Sequence, residues 1–303
     1  MSDRVVVIGD ALIDQLRDDH GVREFVGGAA LNVAVGLSRL SVPATLIAMV
    51  GDDEPGSRIR TYLADYGVEL IATPSLLGSS RAVSTRTGGG EPEYVFNDAA
   101  KARRIRFGDQ ERAAIAAAPL VAISCFPFDD AEQTDELALA LAGARVAVDP
   151  NPRTDLMRDR DEFVRGFERL AARSALVKIG VDDAALLYGE PIDAVTPRLI
   201  DLGVGAVFAT EGASGAAIET ATDAWTRPVS DLPGRIVDTM GAGDAAFAAV
   251  LAALASGWPE DADAWGAMLE RAMDVAAATC RFEGALLRLP SALVGPDLDR
   301  LGT

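Results

Sequence analysis

The sequence predicts an α/β protein: a central, mostly parallel sheet covered on both faces by helices, with a small second β-sheet attached. Two observations carry this. From Gly108 onward, short apolar strands alternate with helical stretches, the pattern of a parallel sheet buried between helices. Before that point, two hairpin patterns near residues 11–27 and 81–103 interrupt the βα alternation. Residues 1–303 are therefore read as one domain with those two stretches as inserts.

Taken in order, residues 4–8 form a β-branched run closed by Gly9-Asp10, read as a buried strand. Residues 13–16 and 22–26 read as a hairpin around Asp18-Asp19-His20-Gly21. Gly27-Gly28 opens a helix over 29–40. A strand over 44–50 follows, then a helix over 56–66 stopped by Gly67. Residues 81–87 and 93–97 read as the second hairpin, around Gly88-Gly89-Gly90. Helices are then expected over 110–118, 131–142, 160–172, 183–188 and 196–202. Strands are expected over 120–124, 145–149, 175–179, 206–210 and 215–219, and Ala-rich core helices over 245–255 and 272–279. Ligands of such sheets bind beyond the C-terminal strand ends, and polar residues gather there: Asp10, Asp149 with Asn151, Lys178 and Thr210.

One stretch asks for chemistry. Asp238-Thr239-Met240-Gly241-Ala242-Gly243-Asp244 follows the β-branched pair Ile236-Val237, read as the end of a strand or loop, and runs into an apolar helix. A glycine turn at a helix N-terminus offers unpaired N–H groups and the positive end of the helix dipole to an anion. A carboxylate beside that hole, Asp244, fits a base that takes a proton from a hydroxyl while the amides steady a moving phosphoryl group. Asp also suits a position near the helix cap.

Composition removes other classes. The formal net charge of −18 repels a phosphate backbone, so no nucleic-acid partner is expected. A single nucleotide stays compatible, because Mg²⁺ and local N–H donors can meet its charge. Cys125 and Cys280 are too few and too far apart for a disulfide framework or a zinc site, and His20 lacks metal-binding partners. No signal-peptide pattern opens the chain, and the longest apolar run, 245–255, falls short of the roughly 18 residues of a membrane span. A cytoplasmic protein without a membrane partner is expected.

Seven short motifs then fall in order along nearly the whole chain: Gly9-Asp10-Ala11-Leu12-Ile13-Asp14, Gly27-Gly28-Ala29-Ala30-Leu31-Asn32, Gly51-Asp52-Asp53-Glu54-Pro55-Gly56, Asp149-Pro150-Asn151-Pro152-Arg153, Lys178-Ile179-Gly180-Val181-Asp182-Asp183, Thr210-Glu211-Gly212-Ala213-Ser214-Gly215 and Asp238 to Asp244. In this order they resemble the ribokinase-like sugar kinases, the PfkB carbohydrate kinase family. The resemblance implies a ribokinase-like three-layer α/β/α fold with a β-sheet lid that closes over the sugar and excludes water. It implies ATP-dependent phosphorylation of a sugar hydroxyl, with Asp244 as base and the Gly241-Ala242-Gly243 amides as anion hole. Arg153 would meet the phosphate or the outgoing charge. Asp10, Asp14, Gly27, Gly28 and Asn32 would form the sugar side, and Lys178, Thr210, Gly212 and Gly215 the nucleotide side. Asp183 stands where the family often has a Glu near the Mg²⁺ water shell, and Asp238 would hold a monovalent cation such as K⁺. A homodimer through the lid sheets is a further implication.

The sequence departs from the family pattern at Met240, a common Thr, and at Met273-Asp274, where an Asn near the adenine is usual. Ala29 replaces the Lys of ribokinases proper, which argues against ribose. With the Asp149-to-Arg153 motif, this makes a fructokinase-like enzyme the leading expectation. The alternatives are a nucleoside, a 2-keto-3-deoxygluconate-type sugar acid or a sugar phosphate as acceptor. Arg81, Arg86 and Lys101 are candidate cations for the charged acceptors. A sugar-binding module without catalysis is the reading from a different class.

Overall fold

The fold is that of a computed structural model, which describes residues 4–18, 21–85 and 93–294. β1 (Val5–Gly9) is buried at every position, as a central parallel strand requires. β2 (Leu12–Asp18) and β3 (Gly21–Gly27) leave the main sheet as an antiparallel hairpin. α1 (Ala29–Arg39) returns the chain to β4 (Ala44–Gly51), which pairs in parallel with β1. α2 (Glu54–Asp65) begins two residues before the glycine expected to open it, because the Asp53 carboxylate caps it by accepting the Gly56 N–H at 2.9 Å.

β5 (Glu69–Ser75) is an edge strand that the sequence reading leaves unassigned. Pro74 weakens its strand signal, yet an edge tolerates a missing N–H. β6 (Ser80–Thr85) and β7 (Glu93–Phe96) pair as the second hairpin. A helical turn, α3 (Asp98–Lys101), and α4 (Asp109–Ala117) follow. His20 and Gly88-Gly89-Gly90, expected at the two hairpin tips, and Arg86 lie outside the described residues.

The second half alternates as expected: β8 (Val121–Ser124), α5 (Ala131–Ala140), β9 (Val146–Asp149), α6 (Arg160–Ala171), β10 (Leu176–Gly180) and α7 (Val181–Tyr188). α8 (Ile192–Asp201) starts earlier than expected and runs through Pro197. Asp193 and Pro197 are both exposed, so the carbonyl that loses its N–H partner faces water. β11 (Val207–Thr210), β12 (Ala216–Glu219) and the unforeseen β13 (Ala224–Arg227) close one edge of the sheet. Ile236-Val237 belongs to neither a strand nor the core: both side chains are exposed, in a loop leading to α9 (Ala242–Ser256). α10 (Ala262–Thr279) is far longer than its Ala-rich end suggested, because Asp261 caps it through the Ala264 N–H at 2.8 Å.

The main sheet has the order β13-β12-β11-β10-β9-β8-β1-β4-β5, parallel from β11 to β5, with β12 antiparallel to both of its neighbours, β11 and β13. One core cluster joins it to α1, α2, α9 and α10, and another joins its opposite face to α4 through α8, giving three layers. The small sheet, β3-β2-β6-β7, unites the two hairpins by parallel pairing of β2 with β6. It rests on the domain through a separate cluster, Leu12, Ala82 and Phe96 against Ala100 and Leu156. Among the described residues no helix is long and apolar enough to cross a membrane.

Candidate active site

The C-terminal ends of β1, β8 and β9 lie in register, Gly9 beside Ser124 and Ser124 beside Asp149. Just past β8 and β9 the backbone turns through two left-handed residues that are not glycine, Cys125 (φ 54°) and Asn151 (φ 39°). Each such residue costs about 1 kcal/mol or more. The turn at Asn151 leads directly into Pro152 and Arg153, which wall the cavity.

That cavity encloses about 430 Å³, within the range of small-ligand pockets. Asp10, Asp14, Gly28, Asn32, Arg153, Gly241 and Asp244 line it, so seven of the expected site residues meet in one place. The sequence reading missed the apolar wall contributed by the small sheet, Leu12, Ala82 and Phe96, and also Met240, Thr154 and Asp155. Only strand register could have shown that Leu12, Asp14, Ala82 and Phe96 share one face.

Asp10 closes the N-terminus of α1: its Oδ1 accepts the Ala30 N–H at 3.0 Å and its carbonyl accepts the Leu31 N–H at 3.2 Å. Asp14 lies directly over Gly27, where a Cβ would stand 2.2 Å from the Asp14 Oδ2. Gly27 is thus required for close approach. Asn32, one turn into α1, donates its amide to the Asp244 Oδ2 at 2.8 Å, which ties α1 to α9. Burial raises the carboxyl of Asp14 to about 7, and the Asp10 charge adds to this against the pull of Arg153. Burial also raises Asp10, opposed by the Ala30 N–H and by Arg103 and Arg153.

Asp244 is 9% exposed and stands third in α9, not at its cap. Gly241 is the cap residue, at φ 72°, and a Cβ there would stand 2.6 Å from the Ala285 Cα. Ala245 makes the first full helical bond, to the Gly241 carbonyl at 2.8 Å, so the N–H groups of Gly243 and Asp244 precede the helical ladder. Burial raises the Asp244 carboxyl, while the Asn32 hydrogen bond, Lys178 and Arg153 pull it back. Asp238 holds the turn from behind, its two oxygens accepting the Met240 N–H at 3.0 Å and the Gly284 N–H at 3.2 Å.

The residues expected on the nucleotide side do not line this cavity. Thr210, Gly212 and Gly215 lie at and beyond the end of β11, toward the other half of the sheet. Lys178 is buried on β10, its Nζ 3.1 Å from the Asp149 Oδ1 and 3.6 Å from the Asp183 Oδ2. Burial works against its charge, but these carboxylates outweigh it and hold the ammonium above the ordinary lysine range. Asp183 also accepts the Gly180 N–H at 2.7 Å. Among the described residues no group of three or more acidic, His or Cys side chains could hold a metal. The half-buried Asp183 spends its Oδ2 on the Gly180 N–H and the Lys178 ammonium. Arg81 is not a cavity cation: it pairs with Glu24 at 2.9 Å on the opposite face of the small sheet, and Lys101 is exposed outside the cavity.

Comparison with known proteins places the chain in a family. Residues 2–292 match the model of the pfkB family carbohydrate kinases. A fructokinase of Klebsiella pneumoniae is 29% identical over 306 residues, covering 96% of this chain and 97% of that protein. An aminoimidazole riboside kinase of Salmonella enterica, solved with aminoimidazole riboside and an ATP analog, superposes with a TM-score of 0.78 at 25% identity, covering 96% and 98% of the two chains. A fructokinase of Xylella fastidiosa with bound ATP shares the fold at a TM-score of 0.81 and 21% identity, covering both chains fully. With a family model spanning the domain and a glycine turn set against a carboxylate-lined cavity, the chain belongs to the pfkB family of carbohydrate kinases.

Proposed function

We propose that this protein transfers the γ-phosphoryl group of ATP to a hydroxyl of an uncharged sugar, with a fructose-type hexose first among the candidates. The observation that carries the reading is Asp244: a buried carboxylate at the head of α9, steadied by Asn32 and facing a sugar-sized cavity. Asp14 and Asp10 accept hydroxyl donors and orient the sugar. Asp244 takes the proton of the attacking hydroxyl as the oxygen–phosphorus bond forms. The amides from Gly241 to Asp244 and the Arg153 guanidinium meet the charge on the transferring group. Thr210, Gly212 and Gly215 border the nucleotide. Mg²⁺, when bound, neutralises phosphate charge, and Asp183 would hold it through water. Asp238 keeps lone pairs for a monovalent cation beside the turn.

The charge of the cavity favours a neutral acceptor over a sugar acid or sugar phosphate. Among the described residues its wall carries Asp10, Asp14, Asp155 and Asp244 against Arg153. A nucleoside is the second reading, favoured by Phe96, an aromatic residue on the same wall against which a base would pack.

Replacing Asp244→Asn tests the assignment. Turnover should fall by about a thousandfold or more while calorimetric sugar affinity changes little. Near-normal turnover in the variant would remove Asp244 from the role of base.

A further inference from the structure

We propose that Lys178 serves the reaction as a fixed buried cation beneath the first turn of α9, held by Asp149 and Asp183 and acting through Asp244, and not as a ligand of the nucleotide phosphates. The inference rests on the reading of Asp244 as base.

Three elements bring a carboxylate toward one ammonium. β9 supplies Asp149, fully buried, whose second oxygen takes the Ser124 hydroxyl at 3.3 Å and the Asn151 amide at 3.4 Å. α7 supplies Asp183, and α9 carries Asp244 next to Gly243, which packs against the ammonium. A Cβ on Gly243 would stand only 3.6 Å from the Lys178 Nζ, so the ammonium lies against the backbone of the helix start. Lys178 is 6% exposed, and its pair with Asp149 is the shorter of its two at 3.1 Å. A lysine placed to grip a phosphate as a mobile point charge needs an open path and free donors. This one is enclosed and already shared between two carboxylates.

Its charge nevertheless reaches the base. The groups that act on Asp244 are Lys178 from β10, Arg153 from the loop after β9, Asn32 from α1 and Asp10 from the end of β1. Asp14 on β2 and Asp149 on β9 are linked to it more weakly. Lys178 and Arg153 are the two cations in this set. Arg153 borders the cavity and can turn to meet the transferring group, whereas Lys178 is fixed by its partners. Lys178 is thus a positioning residue whose constant charge favours the ionised base throughout the cycle.

Kinetics of two variants over a pH series test this. In Lys178→Met the acid limb of kcat should move toward neutral by about one pH unit, a tenfold loss at pH values below it. KM for ATP on the alkaline plateau should change by less than about twofold. Lys178→Met combined with Asp149→Asn removes one charge of each sign and leaves the half-buried Asp183 on the Gly180 N–H. Its acid limb should return toward that of the parent protein, again with KM for ATP held. A rise of tenfold or more in KM for ATP in either variant, with the acid limb in place, would make Lys178 a phosphate ligand and overturn the proposal. So would an acid limb that stays put in both variants while stability alone falls. If the single variant does not fold, the KM for ATP of the double variant still decides. Failure of the kinase reading shows separately, as an unmutated protein that releases no ADP with any sugar.

Discussion

Asp14 binds its proton more tightly in the folded chain than in the unfolded one, its carboxyl raised from 3.8 to about 7. Below pH 3.8 the group is protonated in both states. Between 3.8 and about 7 the folded chain keeps a proton that the unfolded chain has lost, so stability falls as pH rises through this window. Asp14→Asn should therefore stabilise the protein at pH 8 by roughly 1–2 kcal/mol, after discounting for the half-open cavity, while weakening sugar binding. Thermal melts at pH 5 and pH 8 check this: a gain present in full at pH 8 and reduced to roughly two-fifths of that at pH 5 is expected. Gly27→Ala acts on the same carboxylate sterically, since the new Cβ would stand 2.2 Å from the Asp14 Oδ2. KM for the sugar should rise about tenfold, with KM for ATP unchanged. The sequence made Asp14, Asn32 and Asp244 visible through motif order. It could not show that the Asn32 amide serves Asp244, because their contact spans 212 residues. Nor could it show Lys178 beside Asp149, a consequence of the register of β9 and β10.

Among elements, α9 most directly sets the chemistry. Its start depends on Gly241, whose left-handed backbone and contact with Ala285 leave no room for a side chain. Gly241→Ala should lower turnover by about a hundredfold or more, the scale of a lost oxyanion donor, and should also lower the melting temperature. A variant with unchanged turnover would mean that the turn does not need this backbone. The strands and helices from β8 to β11 were legible because buried parallel strands read as continuous apolar runs. β5 and β13 were not, because both are edge strands with half-exposed alternation. The loop before α9 misled in the other direction: Ile236-Val237 has the β-branched character of a strand but no neighbouring strand to pair with. A link between the small sheet and the turn also escaped the sequence: Arg23 on β3 pairs with Glu283, adjacent to the Gly284 that bonds Asp238.

At the scale of the whole molecule, the small sheet gives one wall of the cavity and the main domain the other, and Leu156 anchors the Arg153 loop under that sheet. Ligand binding should therefore bridge two bodies with separate cores. A sugar at a hundred times its dissociation constant should stabilise the fold by about 2.7 kcal/mol, visible as a rise in melting temperature. The acidic cavity predicts this rise for fructose and little or none for fructose 6-phosphate. The fold class was legible from the alternation of elements alone, whereas the acceptor was not, since its wall comes from β2, β6, β7 and the loop after β9 together. The most direct test of the kinase assignment is ADP release from Mg·ATP by the purified protein across fructose, a nucleoside, 2-keto-3-deoxygluconate and fructose 6-phosphate. Turnover with a neutral acceptor, fructose foremost, is expected, with a loss of about a thousandfold or more in Asp244→Asn. Tight sugar binding without ADP release from any acceptor would contradict it.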